Sequence, residues 1–415
     1  LKPFWLNPHG GAVWVPRSIV TSGPLAMAQQ EAWGTCQLDG KEVCLLTLTS
    51  EGTAAKVQVS TYGATLVSLS VPDSAGAPGD VLLGFDSLAS YEAHQTYIGC
   101  AVGRVCSRIA GGTFRLGDAV HQLPQNNGTA CHHGGHVGFN RHTWDVVESS
   151  RSSVTLRLES PDLDQGFPGR LAATVQYSLL PVAGGGAALS VRFRAETDKT
   201  TVVNLTNHAY FNLAGVSAGA GDARSLPERM LDHTVAIAAD AFVPTDEGSI
   251  PLGELRSVAA TPFDFREPTR VGARIGEEDE QLRIAQGYDH NYALREAPSG
   301  NAHGGTRALG VRRDEAGRWV RTRPPDAVAA DAVSGRSMEV YTEEPAVHFY
   351  AGNYLGSEPP GKGGVPIERR AGFCFETQHF TDSPNQPGFP SVVLEPGQAW
   401  KTETVFWFPN PASTA

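Results

Sequence analysis

The residues of this chain that could do chemistry fall in a few short segments. The first is Thr201-Val-Val-Asn-Leu-Thr-Asn-His-Ala-Tyr-Phe-Asn-Leu. Read at the period of two that a strand imposes, one face carries Val203, Leu205, Ala209, Phe211 and Leu213, with Asn207 as the exception. The other face carries Asn204, Thr206, His208, Tyr210 and Asn212. A solvent-facing row is ordinarily built from Lys, Glu and Ser. Amides, an imidazole and a phenol suit a polyhydroxyl ligand instead; a plain polar outer face is the competing reading.

A second segment, Cys131-His-His-Gly-Gly-His-Val-Gly-Phe, brings His132, His133 and His136 together, with His142 nearby. Metal ligation is one reading, but no HExxH spacing and no interleaved carboxylate supports it. The Gly pair suits a tight loop where backbone approaches a ligand, and structural histidines are the third possibility. In the third segment, Gly372-Phe-Cys-Phe-Glu-Thr-Gln-His-Phe, Phe373 and Phe375 point one way while Cys374, Glu376 and Gln378 point the other. A carboxylate in an aromatic strand is costly unless it is paired or does work; desolvation would suit Glu376 to base duty, with a structural ion pair as the alternative. Asp289 and Asn291 share a face in Gly287-Tyr-Asp-His-Asn-Tyr. Arg104 and Arg108 lie in Gly103-Arg-Val-Cys-Ser-Arg-Ile, where Arg108 could donate to several ligand oxygens. No P-loop, GxGxxG or Gly-x-Ser-x-Gly elbow occurs.

The elements that must position these groups read as short strands. Val57–Tyr62, Thr65–Val71, Val154–Ser160, Ala173–Leu179, Ala188–Ala195 and Thr404–Phe408 are strand candidates, and Thr113–Leu123 is a hairpin turning at Gly117-Asp118. Helical candidates are few, Ser87–Ala93 among them. Among 415 residues, Gly (46) and Pro (28) make up about 18%, which favours turns over long helices. Regular strand spacing without strand–helix alternation predicts an all-β sandwich or barrel. The chain is read as a single domain over 34–415, with 1–33 a poorly ordered extension and 297–328 a surface insertion or mobile loop.

The net charge of −11 disfavours a nucleic-acid face, and no apolar run reaches the ~18 residues of a membrane span. Six cysteines without CxxC spacing read as reduced thiols, though Cys36 and Cys44 could pair on adjacent strands. Residues 1–26 show no signal-peptide pattern and Met27 would serve as an ordinary start, so a cytoplasmic location is expected. Glycans on the sequons at Asn127 and Asn204 would obstruct the candidate site, which agrees with that location.

Taken in order, Tyr62-Gly-Ala-Thr-Leu, Asp80-Val-Leu-Leu-Gly-Phe, Gly103-Arg-Val-Cys-Ser-Arg-Ile, His133-Gly-Gly-His-Val-Gly-Phe, Ser160-Pro-Asp with Gly166-Phe-Pro-Gly, Asn204-Leu-Thr-Asn-His-Ala-Tyr-Phe-Asn-Leu, Asp289-His-Asn, Gly335-Arg with Glu339-Val-Tyr-Thr, and Glu376-Thr-Gln with Pro384-Asn-Gln-Pro resemble the aldose 1-epimerase (galactose mutarotase) family over about 40–410. The resemblance implies a large antiparallel β-sandwich with a sugar site in a cleft on one concave sheet. It implies interconversion of the α and β anomers of free hexoses such as D-galactose and D-glucose, with no cofactor and no metal. The family's acid falls on His208, its base on Glu376 and its assisting histidine on His133; Arg108 and Asp289 match residues that hold sugar hydroxyls. Ser107 stands where the family usually has Asn, and His348 where Gln is common, so substrate preference is where this chain would differ. A small aldose is the expected partner of a monomer or weak dimer. The alternatives are a hexose-6-phosphate mutarotase, which would want extra basic residues at the site, and a non-catalytic sugar-binding module on the same fold.

Overall fold

The fold is that of a computed structural model, which describes residues 27–94, 96–217, 224–295 and 304–411. Three antiparallel sheets carry most of it. A five-stranded meander runs Gln29–Thr35, Glu42–Thr49, Lys56–Ser60, Thr65–Pro72 and Pro78–Asp80 in sequence order. A nine-stranded sheet is ordered Asp145–Ser150, Ser153–Ser160, Leu171–Pro181, Gly186–Thr197, Ala399–Pro409, Ser337–Thr342, Ala327–Ala330, Thr234–Ile237 and Thr269–Arg270. The third, ordered Arg256–Ser257, Ala239–Phe242, Asp289–Leu294, Ala346–Tyr350 and Cys374–Gln378, carries the chemistry-bearing strand.

One buried cluster joins all three sheets. It includes Leu46, Val57 and Leu69 from the first, Val175, Tyr177, Phe193 and Phe406 from the second, and Phe349 and Phe375 from the third. The period of two explains this. In Leu171–Pro181 the residues Leu171, Ala173, Val175, Tyr177 and Leu179 are fully buried, while Ala172, Thr174 and Gln176 between them are half-buried. Of the sandwich or barrel that the strand pattern allowed, the result is the large antiparallel β-sandwich that the family resemblance implied. The hairpin turns at Gly117-Asp118 as expected, and Leu88–Ala93 is a helix whose Ser87 side chain accepts from the Ser90 amide.

Two expectations shift. Of the extension expected at 1–33, residues 1–26 lie outside the described residues. Gln29–Thr35, however, is an edge strand paired to Glu42–Thr49. Its sequence is too polar to signal a strand; the ladder holds it, along with Trp33, whose ring lies 5.6 Å from that of Tyr91. Within the expected insertion at 297–328, residues 297–303 lie outside the described residues, and Val311–Arg313 pairs with Trp319–Arg321 as a hairpin. That hairpin answers a question posed by the last strand. Val405-Phe-Trp-Phe is apolar on both faces, so both must be covered. Phe406 and Phe408 enter the main core, whereas Val405 and Trp407 pack with Trp319, Val311 and Tyr341. Beside the hairpin, Arg307 and Arg323 both pair with the buried Asp326 at 2.8 Å.

All six cysteines are free, Cys36 and Cys44 included. No helix among the described residues is long and apolar enough to cross a membrane.

Trp319 is 4% exposed. Trp319→Ala is expected to lower stability by about 3–5 kcal/mol in denaturant unfolding. Because the hairpin covers the sheet face away from the site described next, the variant that remains folded should show an unchanged KM.

Candidate active site

Sheet register brings the site together. Asn291, His348 and Glu376 stand directly opposite one another across three neighbouring strands, and Asp289, Tyr350 and Cys374 form the next row. Their side chains share one face. The intervening Phe349 and Phe375 point into the main core. The alternation read in Gly372–Phe380 therefore holds, and it delivers Glu376, 3% exposed, to the floor of a cavity of about 290 Å³.

His208 reaches the same cavity from a segment that is scarcely a strand. Only Thr201–Val202 and Thr206–Asn207 are in ladders, paired with Val393–Leu394 and Ala101–Val102. The polar row expected to bind a ligand divides as a result. Asn204 Nδ2 donates to the His379 carbonyl at 3.2 Å while its Oδ1 accepts the His379 amide at 3.1 Å. The Thr206 hydroxyl donates to the Thr377 carbonyl, and Asn212 Nδ2 to the carbonyls of Leu226 and Ala371. These three side chains satisfy buried backbone where the ladder is interrupted; they do not line the cavity. His208 and Tyr210 do. Asn204 is 1% exposed, so its sequon is inaccessible in the folded chain.

The loops complete the lining. His132, His133, Ser107 and Arg108 all face the cavity, as do Asp289 and His348. His136 is exposed and His142 half-buried, and neither lines it, so the four histidines do not form one metal cluster. Arg104 is also elsewhere: its guanidinium is buried against Ser160 and the carbonyls of Pro161, Pro168 and Gly169. Tyr97, Asn126, Tyr350, Tyr354 and Leu355 also line the cavity, unnoticed in the sequence, as does Asn127, marked there only as a sequon within the candidate site. Tyr350 was findable, two residues beyond His348 on the same strand face. The others sit in loops with no periodicity to mark them.

The imidazole of His208 is sandwiched. The rings of Tyr97 and Tyr210 stack on it at 6.1 and 5.0 Å, each inclined by 18°. Its Nε2 lies 3.6 Å from Glu376 Oε1, and its Nδ1 lies 3.4 Å from Cys374 Sγ. His133 Nδ1 accepts the Ser107 amide at 3.1 Å, so neutral His133 carries its proton on Nε2. The Ser107 hydroxyl is itself engaged with Thr381 Oγ1 at 2.8 Å. Arg108 Nε donates to Asn127 Oδ1. Tyr97, Ser107 and His133 hold left-handed backbone, with φ of 58°, 60° and 49°; strain of this kind concentrates at ligand sites.

Burial sets the charge states. It pushes His132 and His133 well below the usual histidine range, helped by neighbouring cations. His208 is also lowered by burial, against the opposing pull of Glu376. Asp289 and His348 behave otherwise. Burial alone would raise the Asp289 carboxyl, but its 2.7 Å bond to His348 Nε2 overrides this and holds it down to about 2. The same bond, with the field of Glu376, outweighs burial at His348 and raises it. The two form an ion pair across one corner of the cavity. Sγ of Cys374, a nitrogen of His208 and an oxygen of Glu376 lie within 4.8 Å of one another, but burial and Glu376 push the thiol well up, which disfavours the thiolate a metal would need. The arrangement can move a proton between two edges of one polyhydroxyl ligand.

Comparisons with known proteins bear on the family and the fold. The aldose 1-epimerase family model matches residues 45–407. A galactose mutarotase of Bos taurus is 39% identical over 85% of this chain and 91% of its own length. An aldose 1-epimerase of Escherichia coli K12 is 34% identical over 89% and 96%. Among solved structures, an aldose epimerase homologue from C. elegans superposes with a TM-score of 0.73 at 27% identity, covering 88% of this chain and 98% of that one. Galactose 1-epimerase from Lactobacillus acidophilus gives 0.70 at 26%, covering 92% and 98%.

Acid should loosen the site. His132, His133, His208, His233 and His290 are all lowered by burial, His290 to about 3. Below about pH 6.5 the unfolded chain binds protons that these buried rings do not, so stability falls with pH until each folded value is reached. Glu343, raised by burial to about 7, and His348, raised by Asp289, oppose the trend, as does Asp382 at the acid end, where burial raises its carboxyl. The five lowered histidines outnumber these three raised groups, and the thermal midpoint is expected to drop between pH 7 and pH 5. A midpoint that rises over that interval would contradict these charge states.

Proposed function

The chain belongs to the aldose 1-epimerase family and is an isomerase that interconverts the anomers of hexoses, and we propose that Glu376 and His208 do this by passing a single shared proton. The observation that carries the reading is their placement: two buried titratable groups, 3.6 Å apart, on one wall of a polar cavity.

Mutarotation opens the pyranose ring to an aldehyde and recloses it on the other face. Opening removes the C1 hydroxyl proton, forms the C1 carbonyl, breaks the bond from C1 to the ring oxygen and protonates that oxygen. With Glu376 as carboxylate and His208 as imidazolium, the carboxylate takes the first proton and Nε2 supplies the second. The dyad is then a carboxylic acid and a neutral imidazole, with the same total charge. Rotation about the C1–C2 bond presents the other face, and the transfers reverse. No electrons leave the sugar and no group is carried, so the cycle balances without a cofactor. The lowered proton affinity of His208 makes it a ready acid, and a positioned acid or base is worth typically 10²–10⁴-fold.

The remaining residues hold the sugar. Neutral His133, with its Nε2 proton fixed by the Ser107 amide, donates to a sugar oxygen near His208. Asp289 accepts hydroxyls from the opposite side, and His348 keeps it ionised. Arg108 donates at the rim. Ser107, its hydroxyl engaged with Thr381, acts through backbone and shape. D-Galactose and D-glucose are the proposed substrates. A sugar phosphate is disfavoured, because Arg108 is the one arginine or lysine lining the cavity among the described residues and its Nε is engaged by Asn127. Six free thiols fit a reducing, cytoplasmic setting.

Polarimetry of freshly dissolved α-D-glucose and α-D-galactose tests the reading. Glu376→Gln should lose about 10²–10⁴-fold in kcat while sugar binding survives; retention of most turnover would overturn the assignment. Asp289→Asn should act on binding, raising KM about tenfold through loss of a charge-assisted bond with a smaller change in kcat.

A further inference from the structure

An acid that works at Nε2 raises a question about the other nitrogen. The cycle moves one proton on and off Nε2 of His208. If Nδ1 were bare throughout, giving up the Nε2 proton would leave an imidazolate, which is far too basic to form at neutral pH. Nδ1 must therefore keep its hydrogen in both states, and a buried N–H needs an acceptor. His208 is 5% exposed; beside its own backbone carbonyl, the one side chain that meets Nδ1 among the described residues is the thiol of Cys374, its sulfur at 3.4 Å. Cys374 is fully buried, lies outside the cavity lining and stands two residues before Glu376 on the same strand face.

Resting on the acid role given to His208 above, we propose that Cys374 is a positioning residue whose sulfur accepts the Nδ1–H of His208 and so reserves Nε2 as the nitrogen that takes up and gives off the proton. Sulfur is a weak acceptor. A carboxylate at that place would stabilise the imidazolium and blunt the acid; a methyl group would take the side-chain acceptor away. A thiol holds the tautomer and still lets the proton go. Tyr97 and Tyr210 fix the ring plane, so the contact at Nδ1 decides which edge faces the sugar. The other titratable groups facing the ring are Glu376, His133 and Tyr350, with Asp289 and His348 acting from across the cavity.

The first test needs no variant. Nitrogen-15 correlation spectra of the sugar-free protein, followed through a pH titration, should show His208 with Nδ1 protonated throughout and Nε2 as the nitrogen that titrates. A protonated Nε2 with bare Nδ1 overturns the proposal. This readout does not depend on which residues catalyse, so it stands or falls apart from the assignment of His208 as acid. Kinetics supply the second test. Cys374→Ala should lower kcat about 10- to 100-fold with KM within about twofold. Cys374→Ser should restore most of kcat and, as a stronger acceptor, move the alkaline limb of the pH–kcat profile to higher pH. A Cys374→Ala enzyme with parental kcat and an unchanged profile also overturns it.

Discussion

Everything about this site follows from taking Glu376 and His208 out of water together. An isolated buried carboxylate is expensive, and so is an isolated imidazolium. Side by side at 3.6 Å they have two states of equal total charge, ion pair and neutral pair. Desolvation narrows the gap between these states because it penalises the charged one. A ring-opening reaction that needs one proton removed and another supplied is matched to such a pair. The Asp289–His348 pair lies in the same cavity but is bonded at 2.7 Å and remains ionised. Two carboxylate–histidine pairs in one cavity thus differ in contact, and the proposed mechanism gives them different roles.

The fold exists to hold that pair in place from two directions. Glu376 comes from a regular strand whose other face is phenylalanine, so packing Phe375 and Phe373 into the core fixes where Glu376 points. His208 comes from an irregular segment that has lost most of its ladder. There isolated backbone bonds to several neighbours are supplemented by the side chains of Asn204, Thr206 and Asn212, which bond backbone of adjoining segments, and stacked Tyr97 and Tyr210 set the ring. Left-handed backbone at Ser107 and His133 brings the amide of one onto Nδ1 of the other. The rigid part is built by alternation and the adaptable part by side chains bonded to backbone.

This division also explains what was legible in the sequence. Strands with one apolar face, such as Leu171–Pro181, announce themselves, and so does a carboxylate interrupting Phe373 and Phe375. Period-two reasoning failed where the chain is not a ladder: the polar row from Asn204 to Asn212 looked like one binding face, yet only His208 and Tyr210 reach the cavity. An asparagine that clamps backbone and one that binds a ligand are the same residue type, and only tertiary context separates them. The edge strand Gln29–Thr35 was invisible because an exposed edge needs no apolar pattern. The hairpin Val311–Arg321 was hidden by its short strands, although the doubly apolar run Val405–Phe408 demanded a cover. Tyr97 and Asn127 lie in loops, where spacing carries no directional information.

The central claim is that Glu376 and His208 act as one unit around one proton. Residues that work as a unit show strongly non-additive losses when removed. The direct measurement is therefore a double-mutant cycle on kcat, with Glu376→Gln, His208→Gln and the two combined, in polarimetry on D-galactose. A shared proton predicts that the double variant is about as slow as the slower single one. Losses that multiply would mean that the two groups act independently, and would contradict the account.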